Sequence, residues 1–121
     1  AGSVTVEAIF AAISNGAVAC ALLAVNNIRD IETDTKVGKR TFAVRLGDTR
    51  ARRFYLFLIF VAIVTAFTIS VISVLAIFPA MKLLNEIKFK KGRELISVLG
   101  ATGKFQLLLG GLLTIGALIN F

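Results

Sequence analysis

At 121 residues, 57% hydrophobic and with a mean hydropathy of +0.87, the chain is too apolar for a soluble domain of its size, whose interior cannot hide that much apolar surface. Its net charge of +7 is concentrated in two segments that abut apolar runs, which is the pattern of membrane topology and not of a nucleic-acid face, so no nucleic-acid partner is expected. One cysteine and no histidine exclude an intrachain disulfide framework and a soft-metal centre.

Residues 8–28, 54–81 and 105–121 carry no charge, and they reach or approach the roughly 20 residues that a helix needs to cross a bilayer. The expected class is therefore all-α, a multi-pass transmembrane helical bundle with the lipid bilayer as its surroundings. The first helix is expected over residues 5–27. Its small residues Gly16, Ala17, Ala19, Cys20 and Ala21 suit close packing between membrane helices, and Cys20 reads as one of these packing residues. Glu7 lies near the outer end, where a charge is cheap, and is assigned no role.

A polar motif loop follows over residues 28–53. From 29 to 53 it holds eight Lys/Arg against four Asp/Glu, a net of +4. Residues 54–84 pose a topological question. A second basic segment, 82–94, holds five Lys/Arg against two Glu, a net of +3. If both basic segments are cytoplasmic, an even number of crossings separates them. Length alone favours one tilted helix, since two full spans need about 40 residues. Charge favours two short helices, expected over 54–69 and 71–84, with a tight turn near 68–73 and a kink at Pro79. We give charge the greater weight. A basic interfacial loop is expected over 82–103, broken at Gly92, Gly100 and Gly103, before a last helix over 104–121. The expected setting is the cell membrane, with 29–53 and 82–94 on the cytoplasmic side.

The most informative stretch is "NNIRDIETDTKVGKR", residues 26–40. If the first helix continues through residue 34, Asn26, Asp30 and Asp34 form one stripe, with Asn27 and Arg29 beside it and Glu32 on the opposite face. Two stacked carboxylates repel each other unless a cation lies between them. Their oxygens are hard ligands suited to Mg²⁺, which takes one or two protein carboxylates and completes its shell with water and substrate phosphate. Arg29, Lys36, Lys39 and Arg40 stand nearby as donors to phosphate oxygens. The competing reading is a solvated loop with local ion pairs. Asn26 and Asn27 weigh against it, because adjacent amides where a helix leaves the membrane are better explained by a polar cavity than by lipid.

The string "NNIRDIETDTKVGKRTFAVRLG" (26–47) closely resembles the second aspartate-rich motif of the UbiA superfamily of intramembrane prenyltransferases. It is most similar to the branch that prenylates 1,4-dihydroxy-2-naphthoate. Asn27, Arg29, Asp30, Asp34, Gly38, Lys39, Thr41, Val44, Leu46 and Gly47 match that branch's pattern, and "ELISVLGATGKFQLLLGGLL" (94–113) resembles its closing segment more loosely. The resemblance implies a nine-helix bundle of which residues 1–121 form the last four helices, and two crossings between the basic segments. It also implies polyprenyl diphosphate as donor, 1,4-dihydroxy-2-naphthoate as aromatic acceptor, Mg²⁺ as cofactor, and demethylmenaquinone, CO₂ and diphosphate as products. In that reading Asp30 and Asp34 are the catalytic, metal-holding pair, while Asn26, Asn27, Arg29, Lys36, Lys39 and Arg40 bind substrate. The family's first aspartate-rich motif has no counterpart here, so the chain by itself is expected to be inactive. The interval between Arg53 and Pro79 is also shorter than the family pattern implies. Two other readings stay open: a prenyltransferase for another aromatic acceptor, such as 4-hydroxybenzoate or homogentisate, and a non-catalytic membrane piece whose acids line an ion path. The latter calls for acids in mid-span, and residues 54–81 contain none.

Overall fold

The structure, a computed structural model, describes residues 6–69 and 75–119. In chain order it contains α1 (Val6–Arg29), α2 (Ile31–Lys36), α3 (Phe42–Leu46), α4 (Asp48–Ile69), α5 (Ile77–Phe89), a 3₁₀ turn (Gly92–Glu94) and α6 (Leu95–Ile119), with no strand among the described residues. Three stretches are long and apolar enough to cross a membrane: Ala8–Arg29, Asp48–Thr68 and Gly92–Ile115. This is a multi-pass transmembrane helical bundle.

Within lipid, apolar surface gains little by leaving the bilayer, so helices associate through close packing and hydrogen bonds between them. Helix α1 meets α4 through Ser14, Ala17, Val18, Ala21, Val25 and Ile28, which recur every three or four residues, and α4 answers with Tyr55, Ile59, Ala62 and Ala66. At one level of this seam the Ser14 hydroxyl donates to the Ala62 carbonyl at 2.8 Å. Helix α6 lies along α1 and α4: Gln106 Nε2 donates to Asn15 Oδ1 at 3.2 Å, and Tyr55 Oη pairs with Thr102 Oγ1 at 2.7 Å. Thr102 in turn donates to the Val98 carbonyl, so this buried pair is satisfied within the bundle. The phenol of Tyr55 is therefore buried and partnered within the bundle.

The basic segments meet at one end of the bundle. Arg52, near the start of α4, donates from Nη1 to the Ile87 carbonyl near the end of α5, and from Nε to Asp48 Oδ2 at 2.8 Å. Arg29, Asp48, Arg52 and Lys91 line one cleft there. The chain thus leaves that end along α4 and returns along α5, the two-helix arrangement favoured by charge. At 13 residues, α5 is about 20 Å long, less than the hydrocarbon thickness. The turn expected near 68–73 falls largely on residues 70–74, outside the described residues.

Several helix boundaries differ from expectation, each for a local reason. The motif loop 28–53 is largely helical, holding α2, α3 and the first turn of α4, which begins at Asp48 and not at 54. An aspartate in a first helical turn complements the macrodipole, and here it also pairs with Arg52 one turn on. Pro79 does not kink a helix. It stands in the first turn of α5, where its missing N–H leaves no bond unmade. Of the three glycines expected as breaks in 82–103, only Gly92 breaks the chain, at φ +57°, whereas Gly100 and Gly103 lie inside α6, which starts at Leu95 and not at 104. Cys20, read as a packing residue, is exposed together with Gly16, Ala19 and Leu23.

Candidate functional site

Helix α1 ends where it emerges at the basic end of the bundle. Asp30 has φ −99° and ψ 9°, and its N–H donates to the Asn27 carbonyl at 3.2 Å, a contracted last turn. Asp34 N–H then donates to the Asp30 carbonyl at 2.8 Å, so α2 resumes the helical path after one residue. The uninterrupted helix expected through residue 34 is thus broken at Asp30, yet the pair keeps a one-turn spacing.

Arg29 organises the first carboxylate. Its Nε donates to Asp30 Oδ1 at 3.0 Å and its Nη2 to Asp30 Oδ2 at 3.1 Å, while Nη2 also reaches Asn26 Oδ1 at 2.7 Å. This is a bidentate, charge-assisted clamp with Asn26 as its third point. The Arg29 hydrogen bond holds the Asp30 carboxyl below the usual carboxylate range. Burial opposes that shift, and the positive charges of Arg29 and Lys39 add to it.

Asp34 is the opposite case. It is 9% exposed, and its main chain is fully used, with the carbonyl accepting from Lys39 N–H at 2.8 Å. Its carboxylate has no hydrogen bond or ion pair among the described residues. Its oxygens are not sealed from the surface, since no side-chain nitrogen or oxygen among the described residues is both buried and unpartnered, so water or an arriving ligand can reach them.

The other motif residues divide. Lys39 sits at the turn after α2 and adds positive charge to the Asp30 site. Arg40 is exposed one residue further on. Lys36 is turned away from the aspartates and meets Glu32 at 3.5 Å, an i,i+4 pair on the solvent side of α2. Asn27 lines a cavity of about 230 Å³ with Cys20, Leu23, Ala24, Phe42 and Phe54. The rings of Phe42 and Phe54 meet edge to face, with centroids 5.0 Å apart. Neither Phe was singled out by the sequence, although the Thr41 signal beside them was present. Thr41 caps α3 by accepting from Val44 N–H at 3.3 Å, and Gly47 at φ +84° ends that helix in a conformation open to glycine, so the two fix where Phe42 stands.

Among the described residues no three His, Cys, Asp or Glu side chains are gathered to enclose a metal. Asp30 and Asp34 keep a one-turn spacing and offer hard carboxylate oxygens, of which Mg²⁺ takes one or two while water and a phosphate-bearing ligand complete its shell.

Similar proteins carry the same segment. The chain is 40% identical over 114 residues to a protein of Mycobacterium tuberculosis named 1,4-dihydroxy-2-naphthoate octaprenyltransferase, a match that takes in 88% of this chain and 39% of that one. Proteins of the same name from Haemophilus influenzae and Escherichia coli are 46% identical over 57 residues and 48% identical over 44. These matches cover 47% and 36% of this chain, and 18% and 14% of the relatives. The chain thus spans about two fifths or less of the length of these relatives. No solved structure matches it. Residues 1–94 match the UbiA prenyltransferase family, and the chain, whose paired aspartates lie at the mouth of a membrane bundle, belongs to that family.

Proposed function

We propose that this chain forms part of a Mg²⁺-dependent prenyltransferase that joins a polyprenyl group from polyprenyl diphosphate to 1,4-dihydroxy-2-naphthoate. The observation that carries the reading is the contrast within the aspartate pair, with Asp30 clamped by Arg29 and Asn26, and Asp34 without a partner among the described residues, its oxygens reachable from the surface. The names of the relatives support the donor and acceptor classes.

Asp30 and Asp34 would hold the metal ion, which when bound supplies positive charge to the diphosphate and so eases its departure, while Asn26 steadies the Arg29 that clamps Asp30. Arg29, Lys39 and Arg40 donate to the diphosphate oxygens and stabilise the negative charge that grows there as the allylic C–O bond breaks and its electron pair leaves with the diphosphate. Lys36, held by Glu32, has the smallest part. Asn27 faces the apolar cavity bounded by Phe42 and Phe54, where it orients a substrate while the rings keep water from the allylic cation. The electron-rich naphthoate carbon that bears the carboxylate forms the new C–C bond. Loss of CO₂ returns the C–C electron pair to the ring, leaving the prenylated quinol, the reduced form of demethylmenaquinone. The basic end of the bundle lies on the cytoplasmic side of the cell membrane in this reading, where the soluble acceptor arrives.

The test uses the full-length protein in membranes. Asp30→Ala or Asp34→Ala should abolish both diphosphate release and formation of the prenylated product, whereas Glu32→Ala, on the exposed side of α2, should retain them. Turnover by either aspartate variant at the unmodified rate would overturn the reading.

A further inference from the structure

Lys104 is the one basic residue outside the two basic segments, and it stands within the span Gly92–Ile115. It lies about 14 Å along α6 from Leu95, well inside the basic end of the bundle. An ionisable side chain at such a position is costly and needs a reason. Across the gap between α5 and α6 stands a second one. Lys82 lies about 10 Å along α5 from Phe89, and Lys82 and Lys104 line the same cleft, of about 310 Å³, with Pro79, Leu83, Phe105 and Leu108. Neither ammonium has a hydrogen bond or ion pair among the described residues, and no acidic residue lines the cleft. Like charges facing one apolar cleft repel each other unless an anion sits between them. The nearest acid on α5, Glu86, is engaged by Lys90 at 3.2 Å.

We propose that the α5–α6 cleft is a binding site for one anionic phospholipid, whose headgroup phosphate is held between Lys82 and Lys104 and whose acyl chain lies on Pro79 and Leu108. Both parts of the cleft are then used. The four-carbon stems of the lysines run along the apolar wall and carry their ammoniums toward the headgroup layer. A free phosphate would match the charge and leave the apolar wall idle, and a zwitterionic lipid would bring its own cation to two others. The site lies between α5 and α6, apart from the aspartates at the end of α1, and does not depend on the chemistry proposed for them. Basic clefts between membrane helices are suited to such headgroups.

The full-length protein in nanodiscs of phosphatidylcholine with and without phosphatidylglycerol, analysed by native mass spectrometry after release into detergent, provides the test. The unmodified protein should retain phosphatidylglycerol over phosphatidylcholine, and Lys82→Gln/Lys104→Gln should lose that preference by about tenfold. Lys91→Gln, which removes one charge at the same end but outside the cleft, should leave it unchanged. Added inorganic phosphate should not displace the lipid. Undiminished retention by the double variant, an equal loss in Lys91→Gln, or displacement by inorganic phosphate would each overturn the proposal. Circular dichroism of the double variant guards against loss of fold, and Lys82→Arg/Lys104→Arg, which keeps both charges, should restore the preference.

Discussion

The middle of the bundle and its basic end treat buried polar groups in opposite ways. In the middle, Ser14 donates to the Ala62 carbonyl, and Tyr55 and Thr102 satisfy each other and the Val98 carbonyl, so these buried side chains find their partners within the chain. At the basic end, Asp34 is 9% exposed with an unpartnered carboxylate, one turn from an Asp30 that is fully engaged. Groups that hold a fold together are closed within the chain, because an unpaired polar group in lipid weakens it. The Asp34 carboxylate, unpartnered among the described residues and reachable from the surface, is the group left available to a ligand in the proposed reading. The contrast separates structural from functional polarity without reference to any relative.

The sharpest way to break this comparison is to remove the open charge. Asp34→Asn should lower prenyl transfer on the order of a thousandfold, as loss of a group acting on developing charge does elsewhere. Its melting temperature should stay level, because the carboxylate makes no hydrogen bond or ion pair among the described residues that the substitution would break. Thermal unfolding followed beside activity checks both halves. A large fall in stability would mean that the carboxylate is paired within the full-length protein and belongs with Ser14 and Tyr55.

Next in size is Arg29. It aims Asp30 without being a carboxylate itself, so Arg29→Gln should cost about 10–100-fold in activity, the usual loss when a partner that orients a ligand is removed. It should also change the titration of Asp30. In the unmodified protein the ionised form is favoured, so the stabilisation this gives is present above the ordinary carboxyl range and is lost only as pH falls through the depressed value. Without the guanidinium, protonation should move up toward the usual carboxylate range, and the loss should begin at a higher pH. Carboxyl ¹³C chemical shifts of Asp30 read this directly, and an unmoved titration would remove Arg29 from its role.

Variants of the closed group should show the reverse profile. Tyr55→Phe and Thr102→Val each remove one partner of a buried hydrogen bond, at a stability cost of about 0.6–1.7 kcal/mol for such pairs between membrane helices, with activity per folded molecule unchanged. Their double-mutant cycle should give a coupling of similar size. Loss of turnover at full folding would place Tyr55 in the site after all.

How far these roles could be read from the sequence follows the same division. The grouping of Asn26, Arg29 and Asp30 was legible because helical spacing sets them side by side, and the charge pattern already favoured a return along residues 71–84. The closure of Tyr55 on Thr102 was not legible, since the two lie 47 residues apart and only packing joins them. The continuity of α6 through Gly100 and Gly103 was hidden because glycine breaks helices in water more readily than in a bundle where every backbone bond must be made inside the helix. The apolar wall of Phe42 and Phe54 was hidden as well. It depends on a five-residue helix whose cap and stop are visible only once the turn at Gly47 is seen.

The smallest expected effect tests the outer edge of the site. Lys36 belongs by sequence to the basic cluster beside the aspartates, yet it sits on the exposed side of α2 with Glu32, at side-chain exposures of 74% and 86%. Residues 32 and 36 share one helical face, and Asp34, between them in sequence, points the other way. Exposed i,i+4 pairs are worth about 0.3–0.5 kcal/mol, so Lys36→Gln should change stability by no more than that. Activity should stay within about twofold, the same small free energy expressed as a rate. Lys39→Gln, which takes away a charge acting on Asp30, should cost more than Lys36→Gln at low ionic strength, and the gap should narrow as salt screens that charge. If Lys36→Gln proves the more damaging of the two, α2 must turn when substrate binds, bringing its outer face to the diphosphate and opening the Glu32 pair.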